Sequence, residues 1–131
     1  MNNSSHLTKN QYFVLRTLVE SEIPLSACTI LDLLREKGLR APLQIYRALD
    51  GLLEKGLAHR LESLNAFVAC ARQDCRRYET VAFAICGKCN QVSEFSNAEV
   101  EARLNEWAQG KKFQAERTTI EIRGTCRTCL G

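Results

Sequence analysis

Residues 42–63, PLQIYRALDGLLEKGLAHRLES, decide the fold. Pro42 can open a helix, because the N–H it lacks is one that a first turn leaves unpaired anyway. Ile45, Ala48, Leu49, Leu52 and Leu53 then recur at helical spacing on one apolar face, and Gly56 ends the run. LAHRL (57–61) changes to the two-residue alternation of a strand. AFVAC (66–70) repeats it, and Glu62, Ser63, Leu64 and Asn65 join the two as a hairpin. A helix leading into a hairpin is the second half of a winged helix-turn-helix, provided two helices precede it. They do. Thr8 and Gln11 have capping-box spacing, followed by the apolar face Tyr12, Leu15, Leu18 and Val19. After a break at Ile23-Pro24, Ser26 caps a second helix carrying Ala27, Ile30, Leu31 and Leu34, which Gly38 stops.

Downstream the pattern changes. ARQDCRRYE is polar and aperiodic and reads as a linker, which places the winged-helix domain at 1–72, a linker at 73–78 and a second domain at 79–131. In that second domain TVAFAIC and QVSEF are strands around a CGKC turn, with Gly87 relieving the backbone. Ser96 and Glu99 are spaced to cap a helix with Val100, Leu104, Trp107 and Ala108. RTTIEIRG is a last strand with Thr118, Ile120 and Ile122 on one face. The expected class is α+β: a winged helix-turn-helix followed by a small α/β domain. Three strands and one helix over ~55 residues bury a meagre core, so this domain needs a metal, a partner subunit, or both.

Two cysteine pairs supply the metal. Cys86 and Cys89 lie in CGKC, Cys126 and Cys129 in CRTC, with 36 residues between the pairs. Thiolates at this spacing on a tight turn converge on one ion, and two pairs complete the tetrahedron that zinc requires. A redox dithiol is the alternative, but neither pair is expected to head a helix as a thioredoxin-like motif would. The site is read as structural zinc. Seven cysteines, an odd number, fit thiol or metal chemistry in a reducing compartment rather than a disulfide framework. MNNSSHLTKN lacks the basic and apolar regions of a secretory signal, and no apolar run approaches the ~20 residues of a membrane span, so a cytoplasmic protein is expected. Net charge is only +3 on 131 residues, so charge alone does not declare a nucleic-acid binder. A zinc closed by four cysteines has no open position for catalysis, and no nucleophile–base motif or phosphate-cradling glycine loop is present, so an enzyme is not expected.

Burying Ile45, Ala48, Leu49 and Leu52 leaves Gln44, Tyr46, Arg47 and Asp50 on the outer side of the third helix. Arginine pairs bidentately with guanine, and the Tyr46 ring can meet a thymine methyl. On an isolated helix the plainer reading is a tyrosine at the core edge and a solvated arginine.

The run PLQIYRALDGLLEKGLAHRLES, followed by CGKC and CRTC, resembles the ferric uptake regulator family of metal-responsive repressors, from Leu7 to Cys129. Within it, IYRALDGLLEKGL, HRLES and the Asn65, Phe67 and Cys70 that follow look most like the zinc uptake regulator branch. The resemblance implies a homodimeric, zinc-dependent repressor that binds a palindromic operator, with the second domain serving dimerisation. It turns Tyr46 and Arg47 into base-reading residues, with Gln44 beside them. Lys9, Arg16, Arg40 and Arg60 are the other basic groups expected within reach of phosphates. Two departures stand out. Many relatives carry an additional N-terminal helix, where this sequence has six residues before Leu7. The histidine-rich segment that relatives place before the first C-x-x-C is here ARQDCRRYET, and the only histidines are His6 and His59.

Zinc-uptake-type relatives hold a regulatory metal at a hinge with a wing histidine, a cysteine ending the wing, a histidine near the sheet and a glutamate after C-x-x-C. Matched onto this sequence the set is His59, Cys70, Glu79 and Glu94, with carboxylate in place of the second imidazole. That makes a harder N, S, O, O set. Cys75 competes with Glu79 and would give a softer N, S, S, O set. The resemblance thus implies one structural and one regulatory zinc per chain. Two other readings stay open: a switch by oxidation of Cys70 and Cys75 or by another metal, and a zinc-stabilised interaction module that does not bind DNA.

Overall fold

A computed structural model describes residues 7–70 and 80–131. The linker expected at 73–78, with Cys75, lies outside the described residues, as do Glu79 and His6. The chain forms two units, Met1–Cys75 and Arg76–Gly131.

In the first unit three helices, α1 (Lys9–Glu20), α2 (Ala27–Leu34) and α3 (Pro42–Glu54), precede the hairpin β1 (Ala58–Leu61) and β2 (Ala66–Ala69). The start signals act as the sequence implies. Thr8 accepts from the Gln11 N–H while the Gln11 side chain accepts from the Thr8 N–H, a reciprocal capping box. The Ser26 hydroxyl accepts from the Thr29 N–H, and Pro42 is at the first position of α3. α2 continues as a 3₁₀ turn, Arg35–Lys37, that Gly38 ends at φ 99°. That left-handed value is cheap only without a Cβ. Val14, Ile30, Leu39, Ile45, Leu49 and Leu52 are almost wholly buried and form the core between the helices. The wing closes on it: β1 and β2 pair antiparallel from Ala58↔Ala69 to Leu61↔Ala66. Phe67 and Leu25 exchange both backbone hydrogen bonds, which ties the wing to the entrance of α2. This is a winged helix-turn-helix.

In the second unit β3 (Thr80–Cys86) is the middle strand of three, in the order β4-β3-β5. β4 (Val92–Phe95) returns antiparallel beside it, and β5 (Thr118–Gly124) runs parallel to it from Thr80↔Thr118 to Cys86↔Gly124. The crossover to β5 contains α4 (Ala98–Gly110), and a single helical turn, α5 (Arg127–Leu130), follows β5. Together the units give the α+β class expected.

Four local expectations are corrected. Asn97, not Ser96, caps α4: its side-chain oxygen accepts from the N–H groups of Glu99 and Val100. Asparagine reaches the second and third amides of a helix, so the cap moves one residue on. Gly87 is not the left-handed residue of the CGKC turn, because Asn90 takes that role at φ 63°. A Cβ at Gly87 would meet nothing closer than the Gly124 carbonyl at 3.8 Å. The apolar face expected on α1 shifts as well: Val14 and Leu18 are buried, whereas Tyr12 and Val19 are exposed. On α4 Ala108 is buried, but Val100, Leu104 and Trp107 are exposed, Trp107 by 61%.

Candidate metal centre and nucleic-acid interface

The parallel pairing of β3 with β5 makes the candidate metal centre. It places the ends of both strands side by side, and the Gly87 N–H donates to the Gly124 carbonyl at 2.8 Å. The two cysteine pairs follow directly from those ends. One ligand atom from each of Cys86, Cys89, Cys126 and Cys129 lies within 4.8 Å of all the others. The Sγ atoms of Cys89 and Cys126 are 3.7 Å apart. A tetrahedral zinc with bonds of ~2.3 Å has sulfur–sulfur edges of ~3.8 Å, so the spacing fits the ion.

The electrostatics point the same way. Backbone N–H groups of Cys126, Cys89 and Lys88 donate to the Cys86 sulfur at 3.3, 3.5 and 3.4 Å. These amides pull the Cys86 thiol down to about 6. Cys129 goes the other way. Hydrogen bonds with the Cys126 and Cys86 sulfurs, followed by burial, push it up to about 12. One thiol of the four ionises readily and another resists, and a cation held among them would favour the ionised form of the whole set. The expectation that neither pair heads a helix fails for the second: Cys126 is the N-cap of α5. That turn is four residues long, and it swings Cys129 back toward Cys126, whose carbonyl accepts from the Cys129 N–H at 3.0 Å.

Of the residues matched to a regulatory site, two belong to the first unit. His59 is on β1 opposite Val68. Cys70 follows β2 and donates its N–H to the Leu57 carbonyl at 2.9 Å. A His59 ring nitrogen and the Cys70 sulfur lie within 4.8 Å of each other. Cys70 is disulfide-bonded, whereas Cys28 and the four cysteines of the metal centre are free thiols. Glu94 belongs to the second unit, on β4 opposite Phe83.

The outer side of α3 presents Tyr46, 51% exposed, with Arg47 and Asp50 exposed beside it. Gln44 is engaged locally, since its side-chain oxygen accepts from the N–H groups of Arg40 and Ala41 at 2.9 and 3.1 Å. It stands in for the side-chain cap that Ala41 cannot provide. Arg40 and Lys9 are exposed. Arg16 is held by Glu20 at 2.8 Å. Arg60 donates to the Asn65 side chain at 3.0 Å and faces Glu62 at 3.8 Å.

Sequence reading overlooked Gly51. A Cβ there would fall on the side-chain nitrogen of Gln11, and the oxygen of the same amide accepts from Lys55 Nζ at 3.0 Å. The signal was a glycine in the middle of a helical run, where it costs about 1 kcal/mol unless something needs the space.

A family model described as the ferric uptake regulator family matches residues 2–123. The zinc uptake regulation protein of Escherichia coli (strain K12) is 38% identical over 125 residues, which cover 95% of this chain and 72% of that protein. Among solved structures, a zinc uptake regulator complexed with zinc and DNA is 36% identical with a TM-score of 0.90, covering 98% of this chain and 85% of that one. Holo XcZur is 37% identical with a TM-score of 0.85, covering 95% and 86%.

Proposed function

The chain belongs to the ferric uptake regulator family, and on that premise we propose that it is a zinc-responsive, DNA-binding transcriptional repressor of metal-uptake genes. The observation that carries the reading is the likeness, along nearly the whole chain, to a regulator held with both zinc and DNA. The rest of the molecule is consistent with it. A winged helix exposes Tyr46 and Arg47 on its third helix, and the second unit brings four thiolates to zinc spacing.

Roles follow from the chemistry. Residues 1–72 bind DNA, 73–78 link, and 79–131 dimerise. Cys86, Cys89, Cys126 and Cys129 hold a structural zinc, which fixes the ends of β3 and β5 and leaves no coordination position for catalysis. Phe95, Val100, Leu104, Trp107, Phe113 and Ile122 are exposed apolar side chains in a unit of about 55 residues. A second copy covering them gives the homodimer. Its two α3 helices enter successive major grooves of a palindromic operator, about 34–36 Å apart. Tyr46 and Arg47 read bases; Lys9 and Arg40 meet phosphates, as do Arg16 and Arg60 once they release their internal partners. A regulatory zinc on His59, Cys70 and Glu94, completed by Glu79 or Cys75, joins the two units and favours the one arrangement that fits both half-sites. The protein works in the cytoplasm.

One observation favours a second reading, the disulfide at Cys70. Forming it removes two electrons and two protons to a thiol oxidant and deletes a thiolate that zinc requires. Repression would then be released by oxidation as well as by zinc loss. The deciding experiment is DNA binding titrated with zinc, iron and manganese, with metal stoichiometry measured on the same reduced sample and repeated after oxidation. Two zincs per chain, with DNA binding following the second, support the zinc switch. DNA binding indifferent to zinc and lost on oxidation replaces it with the redox switch.

A further inference from the structure

We propose that Lys9 and Lys37 form a two-lysine contact to the DNA phosphate backbone, organised by Phe13. The inference rests on the DNA-binding reading and adds to it a residue, Lys37, that nothing in the sequence pattern singles out. Lys9 begins α1, and Lys37 ends the 3₁₀ turn after α2. Their ammonium nitrogens each lie 5.9 Å from the centroid of the same Phe13 ring. Phe13 is half-buried and packed against the core of the winged helix, so the ring is a fixed platform. Both lysines themselves are exposed. Each ammonium is drawn to the electron-rich ring, which restrains a side chain that otherwise samples many rotamers.

Two like charges on one ring repel, and no described carboxylate forms an ion pair with either. Among the described residues, the ion pairs Arg16–Glu20, Arg35–Asp32 and Arg60–Glu62 engage neither lysine. Position names the anion. Lys37 directly precedes Gly38, and four residues later Pro42 starts the helix that carries Tyr46 and Arg47. A helix in the major groove has its entrance beside the phosphates that border the groove. Arg16 and Arg60 must give up an internal acceptor to bind a phosphate; Lys9 and Lys37 give up only their hold on the ring. The anion with the right charge and place is the phosphodiester.

The test uses the zinc-loaded full-length protein and two probes. One is a duplex selected by that protein from a random-sequence pool, and the other is its scrambled counterpart. Affinity is measured against salt for wild type, Lys9→Gln, Lys37→Gln, the double variant, and Phe13→Leu. Because a homodimer carries each lysine twice, each single variant should flatten the log–log salt slope by about two, and the double variant by about four. The loss should be equal on both duplexes. Phe13→Leu should give a smaller loss on both, and none when added to the double variant. Salt slopes unchanged in both single variants overturn the contact, and so does a loss confined to one base position. A wild type that selects no duplex defeats the DNA-binding reading itself, and the lysine contact with it.

Discussion

Gly51→Ala should destabilise the winged helix, against the ordinary rule for a helix interior. Replacing glycine by alanine in a helix normally gains about 1 kcal/mol. Here the new methyl takes the place of the Gln11 side-chain nitrogen. Gln11 is the end of a flexible side chain, so it moves rather than forcing the backbones of α1 and α3 apart. Moving it breaks two hydrogen bonds to its oxygen, from the Thr8 N–H at 3.1 Å and from Lys55 Nζ at 3.0 Å. At about 1 kcal/mol each, those losses exceed the propensity gain by about 1 kcal/mol. In a Gln11→Ala background there is nothing left to displace, and Gly51→Ala should stabilise by about 1 kcal/mol. The coupling between the two positions is therefore about 2 kcal/mol. Amide hydrogen exchange of Ile45, Leu49 and Leu52 reads this unit separately from the second one. Equal stabilisation by Gly51→Ala in both backgrounds would refute the argument, because the glycine would then not be making room for Gln11.

Cys126→Ser removes one of four thiolates. If structural zinc contributes about 10–16 kcal/mol, a quarter of that is about 3 kcal/mol, or about a hundredfold in zinc affinity, measured by chelator competition with the dimer followed by sedimentation. Retention of wild-type affinity and dimer would remove the four-cysteine site. Arg47→Ala should cost about 1–3 kcal/mol per half-site and relax base preference at one position in each; a uniform loss on all sequences makes Arg47 a phosphate contact instead. Cys70→Ser should keep the dimer and the four-cysteine zinc but lose zinc-dependent DNA binding, read by anisotropy under reducing conditions. Cys75→Ser in the same assay separates the ligand sets, since no effect leaves Glu79 as the fourth ligand and a matching loss makes it Cys75.

The sequence by itself determined what is settled within a few residues. Thr8 and Gln11, Ser26, Pro42, Gly38 and the turn at Asn65 act through hydrogen bonds and backbone angles between near neighbours, and the helices and hairpin begin and end where those residues place them. The choice of Ser96 over Asn97 as a cap marks the limit of that reading, because both offer an acceptor and only the backbone angles choose between them. The two C-x-x-C pairs likewise offered a four-thiolate set suited to a metal by their chemistry alone. Tertiary structure decided how the pairs meet. β5 joins β3 in parallel after a crossover through α4, a non-local pairing whose register no local pattern encodes, and that register delivers Cys126 and Cys129 to Cys86 and Cys89. It decided, too, that Gln44 faces its own helix end, that Gly51 makes room for Gln11, and that two lysines distant in sequence share one phenyl ring. Each of these depends on which side chains a folded backbone brings within a few ångströms, and spacing along the chain carries no information about that.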